Sequence, residues 1–198
     1  MNQQDTLLNE KQKIGLKYYE YLLKRIPRQE MDLHYKFIRG IWGLESSKNK
    51  FTFEVTGSYR RGEITSGDID ILLTFEEKDN LMGRLIYSLR KNKYILETLA
   101  EGPKKFMGIS KLPNCDPRRI DIIWTPPNEY PFALLYFTGS EKYNRNMREH
   151  AKKLGYKLNE KSLTPLPSNS SSIPIPKFQT EEDIHTFLNL PYLLPQLR

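Results

Sequence analysis

Apolar positions recur at helical spacing over residues 11–25, where Ile14, Tyr18 and Leu22 align and Tyr19, Leu23 and Ile26 form the adjoining ridge. That spacing predicts a helix ended by Pro27, which has no N–H to continue it. A second helix is expected over 29–42, with Met31, Tyr35, Ile38 and Trp42 on one face and Gly43 as its stop. Past the polar run GLESSKNK the period drops to two. Phe51, Phe53 and Val55 alternate with Thr52, Glu54 and Thr56, as in a half-buried strand.

The next strand is expected from Asp68 to Thr74. Ile69, Ile71 and Leu73 point one way and Asp68, Asp70 and Leu72 the other, because strand side chains alternate between faces. Both carboxylates then share a face, about 7 Å apart along the strand. Residues 79–91 read as helical and 94–112 as a hairpin around EGPKK. RRIDIIW is a third alternating strand, with Arg119, Asp121 and Ile123 opposite Ile120, Ile122 and Trp124. If it neighbours the strand of Asp68 and Asp70, three carboxylates converge.

TPPNEYP (125–131) marks a boundary between subdomains. FALLYFTGS follows as a short apolar helix broken at Gly139, and a second helix opens at Ser140 as N-cap, aligning Tyr143, Met147, Ala151 and Leu154 before Gly155. Its other faces carry Lys142, Arg145, Arg148, Lys152 and Lys153, which alone read as an ordinary solvated surface. PLPSNSSSIPIPKFQT is an extended loop, and TEED is a capping box, with Thr180 at the N-cap and Asp183 at N3, opening a last helix through Ile184, Phe187 and Leu188.

Composition narrows the class. With 198 residues, 38% hydrophobic and 28% charged, the chain can bury one core or two modest ones. A net charge of +7 favours polyanionic partners such as nucleic acid. Cys115 is the single cysteine, which excludes an internal disulfide and a thiolate cluster and suits a reducing compartment. No apolar run reaches the roughly 20 residues that span a bilayer, and the first residues lack a signal peptide's apolar core. A soluble protein of nucleus, cytoplasm or a viral compartment is expected, without a membrane partner. His34, His150 and His185 are scattered on helices and are expected at the surface or its boundary, and Trp42 and Trp124 in the core.

One stretch carries chemistry: TGSYRRGEITSGDIDILLT, residues 56–74. Its first half supplies a hydroxyl, turn amides and two guanidiniums, a natural cradle for phosphate. Its second half supplies carboxylates, and anion beside anion requires a cation between them. Mg²⁺ takes oxygen ligands and commonly joins carboxylates to substrate phosphates, and two such ions suit an in-line displacement.

TGSYRRG followed by SGDIDILLT resembles the active-site signature of the family X DNA polymerases, in the nucleotidyltransferase superfamily. KIGLKYYE, RIPRQEM, RRIDI, LLYFTGS, YNRNMREHA and LNE resemble further segments of that family in the same order, so the likeness covers about residues 10–198. It implies an α+β fold: a nucleotidyltransferase palm (28–127) of mixed sheet with helices, a small, mainly helical nucleotide-binding subdomain (128–198), and a remnant helix of a DNA-binding subdomain (1–27).

The resemblance also implies roles. Asp68 and Asp70 would ligate two Mg²⁺ ions, with Mn²⁺ as the alternative, and Asp121 would be the third ligand that activates the primer 3′-hydroxyl, oriented by Arg119. Arg25, Ser58 and Arg61 would contact the incoming triphosphate, with the Gly67 backbone close to it. Tyr136, Phe137, Thr138 and Gly139 would face the nucleotide sugar, Asn144 the incoming base, and Arg145 and Arg148 the template or DNA. Glu160 would serve subdomain closure. Glu141 and Lys161 depart from the pattern, standing where it has an aspartate and a tyrosine.

The implied activity is DNA-directed DNA polymerisation on a primer-template or gapped DNA with a dNTP, in gap-filling repair. The family member most resembled carries a lyase domain and a helix-hairpin-helix element ahead of the matched region. No lyase activity and a weaker hold on DNA are therefore expected. Two rivals stand beside this reading: a template-independent or other nucleotidyltransferase, and a weakly active DNA-binding scaffold.

Overall fold

A computed structural model of the chain describes residues 8–45, 51–76, 80–167 and 174–198. Its centre is a five-stranded mixed sheet of β2 (Phe51–Val55), β4 (Ile69–Phe75), β7 (Arg118–Thr125), β6 (Lys105–Ser110) and β5 (Ile95–Glu101), in that spatial order. β4 and β7 run parallel and every other neighbour antiparallel.

One face of this sheet is apolar. Ile69, Ile71 and Leu73 of β4 and Ile120, Ile122 and Trp124 of β7 pack with Ile38 and Trp42 of α3 (Arg28–Glu45) and with Leu85 and Leu89 of α5 (Leu81–Lys91). Burying each of these side chains is worth about 1.5–3 kcal/mol. A slip of one residue would turn that face outward and drive Asp70 and Asp121 into the core, so the apolar pattern itself fixes the register of the carboxylates.

A second apolar cluster, separate from the first, joins Phe132 and Leu135 of α6 (Tyr130–Thr138), Met147 and Ala151 of α7 (Glu141–Lys153) and Ile184 of α8 (Glu181–Phe187). The hairpin of β8 (Tyr156–Leu158) and β9 (Leu163–Pro165) closes it from the side. The capping box at Thr180 is present: its hydroxyl accepts from the Asp183 amide at 3.2 Å, and Asp183 accepts from the Thr180 amide at 2.9 Å. The fold is α+β.

Several expectations need correction. The helix over 11–25 is two pieces, α1 (Glu10–Lys17) and α2 (Tyr19–Leu22), broken at Tyr18. Tyr18 turns inward and donates its hydroxyl to Glu97 at 3.2 Å, while Leu16, Tyr19 and Leu23 stay 67%, 57% and 67% exposed. The chain must then extend, because β1 (Ile26–Pro27) pairs with β3 (Thr65–Ser66). Gly43 does not stop α3, which continues to Glu45 with Trp42 fully buried in the core. Leu154 lies past the end of α7 and is exposed.

His34 and His185 are fully buried rather than at the surface. Each has a polar partner that makes this tolerable: His34 Nδ1 lies 2.6 Å from the Tyr94 hydroxyl, and His185 Nδ1 lies 2.6 Å from the Glu181 carbonyl. Residue 79 of the helix expected over 79–91 and residues 168–173 of the Pro/Ser-rich loop lie outside the described residues.

Candidate active site

Parallel pairing of β4 with β7 sets Asp70 directly beside Asp121, and Asp68 stands just ahead of β4. Asp121 is 4% exposed. Burial is the main force on Asp70, and with the charges of Asp68 and Asp121 it pushes its carboxyl up to about 7. Asp68 is raised too, first by burial and then by Asp121, against the pull of Arg119.

Among the described residues Arg119 and Lys105 form ion pairs with the cluster. Arg119 bridges it, 3.3 Å from Asp68 Oδ2 and 3.3 Å from Asp121 Oδ1. Lys105 Nζ lies 3.5 Å from Asp121 Oδ2. Among the described residues no three His, Cys, Asp or Glu side chains already stand in metal-holding geometry. Asp68 and Asp121 pair with Arg119 instead. The donor set is nevertheless all-oxygen and crowded, and Asp68 and Asp70 are raised in pKa, which is the chemistry a hard divalent cation relieves.

The glycine-rich turn sits against these carboxylates. Gly57, at φ +59, opens the short α4 (Gly57–Arg60), and a Cβ placed on it would lie 2.7 Å from Asp70 Oδ2. Only glycine lets the turn approach so closely. Ser58 is half-buried within α4, and Gly67 is exposed. Arg25 is exposed and held by Thr65, with 2.8 Å bonds to its hydroxyl and its carbonyl.

Both arginines of the turn reach the C-terminal part. Arg61 donates to the Thr138 carbonyl at 2.8 Å. Arg60 donates to the Thr138 hydroxyl at 2.6 Å and to both oxygens of Glu181 at 3.2 and 2.7 Å. Arg198 completes the group, donating to Glu181 at 2.6 Å. Burial alone would raise Glu181; the bonds from Arg60 and Arg198 hold it below the ordinary carboxylate range.

Tyr136, Asn144 and Arg148 lie together. Asn144 donates to the Tyr136 carbonyl at 2.7 Å, and the Arg148 guanidinium lies 5.9 Å from the Tyr136 ring centre. Thr138 and Gly139 are buried, Phe137 half-buried and Arg145 exposed. Glu160 is half-buried beside Asn159, which shares a shallow depression with Tyr136, Asn144 and Arg148.

Thus the structure gathers Asp68, Asp70, Asp121 and Arg119 at one point and ties Arg61 to Thr138, next to Gly139. Arg25 and Gly67 flank each other across about a side chain's contact distance, with Arg25 Nη1 3.8 Å from a Cβ at Gly67. Sequence reasoning missed Lys105, Glu181 and Arg198. Lys105 stands at the start of β6, and nothing in its own neighbourhood signals the distant acid it meets.

Residues 25–127 match the family model of the DNA polymerase beta palm, and residues 133–198 that of the DNA polymerase beta thumb. DNA polymerase lambda of Rattus norvegicus is 34% identical over 207 aligned positions, which cover 96% of this chain and 36% of the relative. DNA polymerase lambda of Arabidopsis thaliana is 30% identical over 211 positions, covering 96% of this chain and 40% of the relative. The chain therefore spans about two fifths or less of these relatives' length. With palm and thumb matched in order around the carboxylate cluster, the chain belongs to the family X DNA polymerases.

Proposed function

We propose that this chain is a DNA-directed DNA polymerase that adds a deoxynucleoside monophosphate to a primer 3′ end, filling short gaps in DNA repair. One observation carries this: three carboxylates on and beside neighbouring parallel strands, with Asp70 pushed up to about 7, against a glycine turn that bears two guanidiniums. The net charge of +7 suits a DNA partner.

Asp68, Asp70 and Asp121 would hold two Mg²⁺ or Mn²⁺ ions, which supply positive charge between triphosphate and primer oxygen. Asp121 accepts the proton of the primer 3′-hydroxyl, and Arg119 orients its carboxylate. The hydroxyl oxygen bonds to the α-phosphorus as the bond to pyrophosphate breaks in line. Arg25, Ser58, Arg61 and the Gly67 backbone receive the triphosphate. Because Arg61 also holds Thr138, nucleotide binding acts directly on the segment Tyr136, Phe137, Thr138 and Gly139 that lies against the sugar. Asn144 meets the incoming base, Arg145 and Arg148 the template strand, and Glu160 supports closure.

The two apolar clusters support a division into palm (28–127) and thumb (128–198). Within residues 8–27 the helices α1 and α2 and the turn after them are tied to the palm through Lys17, Tyr18 and Lys24. No helix among the described residues is long and apolar enough to cross a membrane, and a repair role sets the protein's work inside a cell or a viral compartment.

A gapped primer-template with Mg²⁺ and single dNTPs tests the proposal. Extension by the complementary nucleotide alone, lost in Asp121→Ala, is the expected result. Extension without template would make it a template-independent transferase, and DNA binding without extension would leave a scaffold.

A further inference from the structure

Lys105 differs from the other cation at the carboxylate cluster in how firmly it is held. Arg119 spans Asp68 and Asp121 with a planar fork, so leaving either acid still leaves it paired. Lys105 makes one ion pair, to Asp121 Oδ2 at 3.5 Å, which is longer than the 2.7–2.9 Å typical of a tight charged hydrogen bond. Its side chain is 49% exposed, whereas that of Asp121 is 6% exposed. Antiparallel pairing sets Lys105 opposite Ile123, two residues beyond Asp121 on the same face of the sheet. A flexible four-carbon stem anchored there can swing its ammonium out to water without moving the strand.

We propose that Lys105 is the displaceable counter-ion of the carboxylate cluster, holding with its ammonium a place that a divalent cation must take from it. This role presupposes that Asp68, Asp70 and Asp121 are cation ligands. Its charge also bears on a second member of the cluster, since Lys105, after Arg119, is among the groups that oppose the rise of Asp70. Lys105 therefore competes with the cation: it keeps the apo cluster together and weakens metal binding by the strength of its own ion pair.

The adjoining Lys104 supplies the control. It carries the same charge on the same hairpin, but its ammonium lies 5.0 Å from the Trp124 ring centre, and no ion pair to the cluster accompanies it. Trp124 alternates with Asp121 and Ile123 along β7, so it lies on the face of the sheet opposite the cluster. General loss of positive charge and loss of a local competitor are thus separable.

The experiment is a Mn²⁺ titration of the DNA-free protein, with free ion counted by electron paramagnetic resonance, on wild type and the variants Lys105→Met, Lys105→Gln, Lys105→Arg, Lys104→Met and Asp70→Asn. Thermal melts confirm that each is folded, and either neutral Lys105 variant suffices. Removing the Lys105 charge is expected to tighten Mn²⁺ binding about two- to fivefold, the range a half-exposed ion pair commands. Lys105→Arg and Lys104→Met are expected to stay within error of wild type. Unchanged or weaker binding in the neutral Lys105 variants, with binding lost in Asp70→Asn, overturns the counter-ion role alone. Equal tightening in Lys104→Met overturns it as well. Wild-type binding in Asp70→Asn overturns the carboxylate site itself, and with it this role.

Discussion

Arg60 of the palm grips both carboxylate oxygens of Glu181 in the thumb, and Arg198 takes one of the same oxygens from the other side. The side chains are 16%, 4% and 0% exposed, so one buried carboxylate serves two guanidiniums, and Arg60 has a second, longer pair with Glu54 at 3.7 Å. Breaking a buried pair leaves an uncompensated charge, and here it would leave Arg198 without this partner and Arg60 with only Glu54, at 3.7 Å. Glu181→Ala is expected to destabilise the fold by about 3–5 kcal/mol, and Glu181→Gln by less, because the amide oxygen still accepts one bond. Urea unfolding midpoints at constant slope measure both. A loss under about 1 kcal/mol for Glu181→Ala would mean that water reaches the pair.

Gly57→Ala should damage catalysis more than folding. The residue sits at φ +59, where a side chain costs about 1–2 kcal/mol, and its new Cβ would stand 2.7 Å from Asp70 Oδ2. The carboxylate must rotate away. A displacement on the order of 1 Å at a reacting site costs about 100-fold in rate, so kcat is expected to fall by about that factor while the melting temperature drops only a few degrees. Gly67→Ala is the contrast, since its Cβ would meet Arg25 Nη1 at an ordinary 3.8 Å. Its fold should be unaffected, and any rise in KM for dNTP reports how closely the triphosphate approaches that backbone. Equal kcat losses in the two variants would refute the distinction.

Much of this site was legible in the sequence. Alternation in SGDIDILLT puts Asp68 and Asp70 on one face, and RRIDIIW does the same for Asp121. What alternation cannot give is the neighbour: the parallel pairing of Asp70 with Asp121 is a non-local choice made by the whole sheet. Lys105 and Glu181 escaped notice for the same reason, and Arg60 lies 121 positions from the acid it binds. Tyr19 and Leu23 share a ridge yet stay exposed, because periodicity shows which residues share a face, not whether anything covers it. His34 was expected outside because a polar ring is costly to bury, and only the fold reveals the Tyr94 hydroxyl that offsets the cost.

Asp70→Asn is expected to stabilise the protein in EDTA while abolishing polymerisation. In the fold Asp70 holds a proton up to about pH 7, whereas its ordinary value is 3.8, so the native state binds more protons between those limits and stability falls as pH rises through them. At pH 8 the ionised carboxylate is a burden that asparagine lacks, and the variant should gain at least about 1 kcal/mol. The gain should vanish near pH 4, where aspartate is protonated in the fold. Adding Mg²⁺ should stabilise the wild type and leave the variant largely unmoved. Melting curves across pH, with and without metal, read all three. A variant less stable than wild type at pH 8 in EDTA would refute the repulsion.

His34 gives the opposite pH dependence. Burial first, together with the Arg118 charge, lowers it from 6.5 to about 4, although Glu30 lies 3.6 Å from its Nε2 and pulls the other way. Glu30 is already bound by Arg118, at 2.7 and 2.8 Å, and has little charge left to share. The unfolded chain therefore takes up the His34 proton before the native state does, and stability is lost as pH falls from about 6.5 to about 4. Across that window the loss should approach about 3 kcal/mol, at about 1.4 kcal/mol per pKa unit. His34→Gln keeps a polar partner for the Tyr94 hydroxyl and cannot titrate. Its unfolding free energy should change less between pH 7 and pH 4 than that of wild type. The comparison is best made in the Asp70→Asn background, where the opposing trend of the aspartate is absent. Parallel pH profiles with and without His34 would mean that the imidazole takes up its proton at the same pH in the fold as in the unfolded chain.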